Sequence, residues 1–137
     1  MKFEQAPDVK ERVEKIVSAL QMGHIDAKRV ACMRSYGSSG HAYARIWSMP
    51  SIWKKALGIE AHYVIEVISE KYDTFNDEEK EKTLIHELLH IPKTFSGALV
   101  NHRTKVFDGK GGHKTMRIGA KEVDALHKEY RRFISSL

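Results

Sequence analysis

Cysteine is almost missing from this chain: 137 residues hold one, Cys32. A lone cysteine excludes a disulfide framework. Its apolar setting makes Cys32 a small core residue rather than a nucleophile. No stretch approaches the roughly 20 apolar residues that span a bilayer, so no membrane segment is expected. The opening residues Met1 to Asp8 (MKFEQAPD) lack an apolar signal core. Together with the single cysteine, that predicts a cytoplasmic protein. Long blocks of like charge are also absent, although the net charge is +5 and the sequence pI about 9.3. The densest basic stretch, from His102 to Arg117, reads as a solvated face. Weak nucleic-acid association from basic charge is the competing reading. Asn and Gln are scarce (Gln5, Gln21, Asn76, Asn101) while Lys and Glu abound. That bias is shared with thermophile proteins. With no repeat or low-complexity tract, and with 42% hydrophobic and 30% charged residues, the chain reads as a single globular domain over 1–137.

Against these absences stands one dense signal. His86-Glu87-Leu88-Leu89-His90 reads H-E-x-x-H. Imidazoles four residues apart on a helix share one face, one turn above the other, so both can reach a single metal ion. The intervening acid points aside, where it can take a proton from a water rather than ligate. Five letters can arise by chance in a chain this rich in His and Glu, so context must carry the motif. Asn76-Asp77-Glu78-Glu79 supplies an N-cap and an acidic first turn, nothing from Glu78 to Ile91 breaks a helix, and Pro92 ends it. Leu84, Ile85, Leu88, Leu89 and Ile91 bury the segment. Two imidazoles on a buried face are costly without a shared partner.

The rest of the chain divides readily. Pro7 opens a helix to about Met22, with Val9, Val13, Ile16, Val17 and Leu20 as its apolar face and Gly23 as its stop. Arg29–Tyr36 and Tyr43–Met49 flank a Gly-Ser turn and read as two strands of a hairpin. A short helical piece over Ile52–Leu57 stops at Gly58. His62–Ser69 is the clearest strand. A long loop is expected from Pro92 to Gly112, then a last helix from Thr115 to Ser135 with Ile118, Val123, Leu126, Tyr130, Phe133 and Ile134 as its buried stripe. His127 is expected on the solvent side. The order predicts an α+β fold: a small three-stranded sheet packed against the H-E-x-x-H helix, with N- and C-terminal helices.

A catalytic zinc takes three protein ligands. His102, His113, Glu122 and Asp124 all follow the motif, and spacing alone leaves them open. Gly97 allows the chain to reverse and return His102 to the helix. His113, after a Gly-rich stretch, is expected at the start of the last helix. The compact H-E-x-x-H-x-x-G-x-x-H form is excluded, because Lys93 and Ser96 occupy its Gly and His positions.

The stretch from Thr83 to His102, TLIHELLHIPKTFSGALVNH, resembles the metallopeptidases of archaea and phages, in which HELLHIP is followed by a Phe-Ser-Gly-like turn and a downstream His. The preceding VIEVISEKYDTF and the Val123-x-x-Leu126-x-x-x-Tyr130 pattern are similar too. More distantly the layout resembles the SprT-like minimal zincins. The resemblance implies that His102 completes a site with His86 and His90 around one zinc ion. The residues Thr104 to Gly112 are a local departure that keeps His113 as a rival.

The function expected is therefore zinc-dependent hydrolysis of a peptide or protein substrate, with Glu87 as general base. Tyr63, Tyr72, Arg103 and His113 are candidate donors to the oxyanion. His62–Ser69 is a candidate edge along which an extended peptide lies. Two alternatives use the same residues: a zinc hydrolase acting on a non-peptide bond, and a non-catalytic module in which zinc staples the loop for nucleic-acid or protein binding.

Overall fold

Tyr63–Ile68 (YVIEVI) is buried almost throughout, which marks a strand with neighbours on both sides rather than an edge. The computed structural model describes residues 1–101, 103–107 and 113–137, with 103–107 and 113–117 described by backbone alone. Its strands are β1 (Lys2–Gln5), β2 (Val30–Tyr36), β3 (Ala44–Trp47), β4 (Tyr63–Ile68), β5 (Arg103–Phe107) and β6 (His113–Arg117). Its helices are α1 (Pro7–Ala19), α2 (Ser51–Leu57), α3 (Ser69–Tyr72), α4 (Asp77–Leu88) and α5 (Ala120–Ser135). The fold is α+β. No described helix is long and apolar enough to cross a membrane.

The main sheet has four strands in the order β1-β2-β4-β3, one more than the sequence predicts. The extra strand is β1, whose four residues are too few to show a period. It pairs antiparallel with β2, and Ala6 N–H donates to the Cys32 carbonyl at 3.0 Å just beyond it. The predicted hairpin does not form. Strand β4 lies between β2 and β3, parallel to the first and antiparallel to the second. The β2–β3 connection holds a turn that reads as a hairpin locally, but β4 offers more apolar surface to both strands. Two further differences fall after the motif. The expected loop holds β5, which pairs antiparallel with β6 just beyond it, across the expected start of the last helix. Helix α5 starts at Ala120 rather than Thr115, so His113 begins a strand and not a helix.

Alternation sorts the main sheet into two faces. Val30 and Cys32 of β2, Tyr63, Ile65 and Val67 of β4, and Ala44 and Ile46 of β3 pack with Val9, Val13 and Ile16 of α1 and Leu84, Ile85 and Leu88 of α4. Cys32 is 3% exposed and burial pushes its thiol up to about 11, as a core residue's should be. The opposite face carries exposed Phe3 and Trp47, with Glu66 almost fully covered at its centre. There the Trp47 indole N–H donates to Glu66 at 2.9 Å, and Arg45 lies 3.6 Å from the other oxygen.

Helix α5 is amphipathic as expected, but its stripe differs. Val123, Leu126 and Tyr130 are buried, Phe133 is 41% exposed, and His127 is buried rather than solvated. Its Nε2 meets Glu81 of α4 at 2.8 Å, and Arg131 and Arg12 reach the same carboxylate at 3.3 and 3.4 Å. His127 stands four after Val123 and three before Tyr130, so helical spacing does place it on the inner face. This ionic knot fixes α5 against α4.

Candidate metal centre

Helix α4 is started by the residues the sequence nominates. Asn76 accepts from Glu79 N–H at 2.8 Å and Glu79 reaches back to Asn76 N–H at 3.2 Å, a complete capping box. The helix ends at Leu88, three residues before the expected Ile91. His86 and Glu87 are therefore helical, while His90 occupies the tight turn that follows, with its N–H donating to the Glu87 carbonyl at 3.1 Å. The turn still keeps both imidazoles together: the ring centroids of His86 and His90 are 5.2 Å apart at 68°.

The His90 ring is oriented by backbone. Its Nδ1 lies 2.7 Å from the Val100 carbonyl. A carbonyl only accepts, so Nδ1 carries the hydrogen and the neutral ring has its lone pair on Nε2, the atom a metal would use. Val100 N–H donates in turn to the His90 carbonyl at 2.8 Å. The segment after Pro92 thus returns to the motif through two hydrogen bonds.

That return is held by a residue the sequence suggests for another task. Tyr63 is 1% exposed, and its hydroxyl donates to the Ala98 carbonyl and accepts from Gly97 N–H, both at 2.8 Å. Its ring meets Phe95 edge-on at 5.0 Å. Gly97 has φ +98°, and a Cβ there would stand 2.6 Å from the Met49 carbonyl oxygen, so only glycine fits the bend. Met49 N–H closes the same contact by donating to the Gly97 carbonyl at 2.8 Å. Tyr63 and Tyr72 are consequently not oxyanion donors. Both are buried at 1% exposure, and burial pushes the Tyr72 phenol up to about 12. The parity of β4 signals this for Tyr63, since 63, 65 and 67 share the inner face. The side chains of Arg103 and His113 lie outside the described set.

We expect Tyr63→Phe to fold but to loosen the bend. Two backbone groups lose a partner, costing about 1–3 kcal/mol in a thermal melt. Metal affinity should fall about tenfold in a competition titration, the usual penalty for disturbing a group that orients a ligand. Unchanged affinity would show that Val100 is held independently of Tyr63.

Glu87 is 7% exposed, and its Oε2 has no hydrogen-bond partner among the described residues. Burial alone pushes its carboxyl up to about 7. A buried carboxylate oxygen without a partner among the described residues, one position from His86 and three from His90, is placed to take a proton from a nearby water. The remaining candidates separate clearly. Glu122 accepts from Gly119 N–H at 2.9 Å and caps α5, while Asp124 pairs with Lys82 at 3.1 Å. Among the described residues no three His, Cys, Asp or Glu side chains gather as a metal set, so neither carboxylate joins the histidine pair. His102 lies outside the described residues. A cleft of about 440 Å³ opens beside Glu87 and His86, lined also by Tyr43 and Ala44 at the start of β3 and by the first turns of α5.

The model of a family described as "Putative phage metallopeptidase" matches residues 1–133. No curated protein and no solved structure matches the chain.

Proposed function

We propose, since the chain belongs to this phage metallopeptidase family, that it is a zinc peptidase whose general base is Glu87 and whose metal ligands are His86, His90 and His102. The observation that carries the reading is the buried Oε2 of Glu87, without a partner among the described residues, on the same turn as the neighbouring imidazoles of His86 and His90. A closed structural zinc site takes a fourth protein ligand and has no need of an acid there, which counts against a stapled binding module.

His102 is favoured over its rival by chain geometry. Val100 is hydrogen-bonded to His90 on both sides. Two extended residues cover at most about 7 Å, which leaves position 102 within range of that ring. His113 pairs with Phe107 in the β5–β6 register, whereas Arg103 pairs with Arg117. His113 therefore stands four residues, roughly 13 Å, along the hairpin from the end that adjoins position 102.

Zinc bound by these histidines would supply Lewis acidity and make water a nucleophile near neutral pH. The protein's own residues do the rest. Val100 fixes the His90 tautomer, and Tyr63 fixes Val100 through the bend at Gly97. Glu87, raised by burial to about 7, accepts the proton of the attacking water and hands it to the leaving amine. An extended substrate would lie along β3, because β3 and not β4 is the sheet edge beside the cleft.

The test is hydrolysis of a denatured protein by purified chain. Activity should vanish with a chelator and return with stoichiometric zinc. Cleavage that persists after verified metal removal would refute the reading.

A further inference from the structure

The cleft beside Glu87 differs in character from the polar groups at its floor. The geometry points to a subsite for an apolar or aromatic substrate side chain, next to the bond that Glu87 serves. The inference rests on the peptidase reading and deepens it by naming the substrate class.

Three elements form the walls. Strand β3 and the residue before it supply Ala44 and the half-exposed ring of Tyr43, α4 supplies Thr83, and α5 supplies Ala120 and Val123. The Tyr43 ring is braced rather than loose: it meets Phe75 edge-on at 5.0 Å, with the Lys71 ammonium 5.9 Å from its face. Val123 is 5% exposed, so its side chain is a fixed apolar wall. Away from His86 and Glu87, the two charged side chains of the lining offset each other. Lys82 of α4 and Asp124 of α5 meet at 3.1 Å, bridging the two helices that bound the cleft. Asp124 holds the Lys82 ammonium above its ordinary pKa, and Glu78 stands 3.8 Å away on the outer side. Neither member of the pair is left to attract an oppositely charged substrate side chain.

At about 440 Å³ the space is at the small end for ligand pockets and suits one bulky side chain with part of its backbone. Continuity with His86 and Glu87 fixes the occupant: whatever fills the cleft is attached to the group being attacked. Leucine, phenylalanine and methionine meet the apolar walls, while glutamate would lose hydration without gaining a counter-charge.

The deciding experiment reads binding rather than turnover. The zinc-loaded full chain is titrated with the N-acetyl amides of leucine, phenylalanine, glycine and glutamate while backbone and methyl NMR shifts are followed. Leucine and phenylalanine amides should shift Tyr43, Ala44, Ala120 and Val123 saturably, at least about tenfold more tightly than glycine or glutamate amide. Ala120→Glu adds a charge in the first turn of α5, where helix and fold tolerate it. It should weaken leucine amide binding about tenfold, and Ala120→Trp should do the same by filling the space. Equal affinity for all four amides, shifts remote from these residues, or unaltered binding in both variants would overturn the subsite. Because no bond is cleaved in this titration, a wild-type chain that binds leucine amide yet hydrolyses nothing would sink the peptidase reading alone.

Discussion

Glu87→Gln is expected to retain zinc at wild-type stoichiometry and to lose peptide hydrolysis by on the order of 10²–10⁴-fold, the usual contribution of a positioned general base. The amide matches the carboxyl in shape, so the 7% exposed site stays filled and the fold is undisturbed. It cannot accept the proton of an attacking water. The reason for a large effect lies in the environment. Oε2 has no hydrogen-bond partner among the described residues, so that oxygen is left to accept a proton. Burial brings its pKa to about 7, near the optimum for proton transfer at neutral pH. Zinc content by plasma mass spectrometry and initial rates on a denatured protein check the two halves together. A Glu87→Gln variant that still turns over at wild-type rate would remove Glu87 from the base role. One that loses zinc would make the residue structural instead.

His102→Ala should weaken zinc binding by more than about 100-fold, beyond what loss of an outer orienting group costs. His113→Ala should leave affinity within a few-fold of wild type. The contrast follows from how far along the chain each position lies from Val100. Residue 102 is two past Val100, whose backbone grips His90 through bonds of 2.7 and 2.8 Å. Residue 113 stands opposite Phe107 in the hairpin, away from the Arg103–Arg117 end. A competition titration with a chromophoric chelator ranks the variants. If the order is reversed, the β5–β6 hairpin rather than the bend at Gly97 delivers the third ligand.

What the sequence made legible is local. The capping box at Asn76 and the apolar flanks of the motif read directly, because helix starts are set within a few residues, whereas the helix end fell three residues short of Ile91. The paired histidines and the buried Glu87 followed from the same segment. Pairing across the chain was harder. Whether β4 is an edge or a centre depends on β2 and β3, and a local turn at Gly37 suggested a hairpin that long-range burial overrides. Strand β1 is four residues and shows no period. Tyr63 and His127 were open to better reading, since strand parity and helical spacing place both on inner faces. The polar tip of Tyr63 suggested chemistry and that of His127 suggested solvent, while burial gave them structural partners: the Gly97 bend for one and Glu81 for the other.

The central claim is that His86 and His90 hold a metal. The most direct test is the zinc content of the chain purified from zinc-supplemented culture, set beside the His86→Ala/His90→Ala double variant at matched folding. The account predicts about one zinc per wild-type chain and none in the variant, as a three-histidine site cannot survive the loss of two ligands. A folded wild-type chain without zinc, or a double variant that keeps it, would contradict the account.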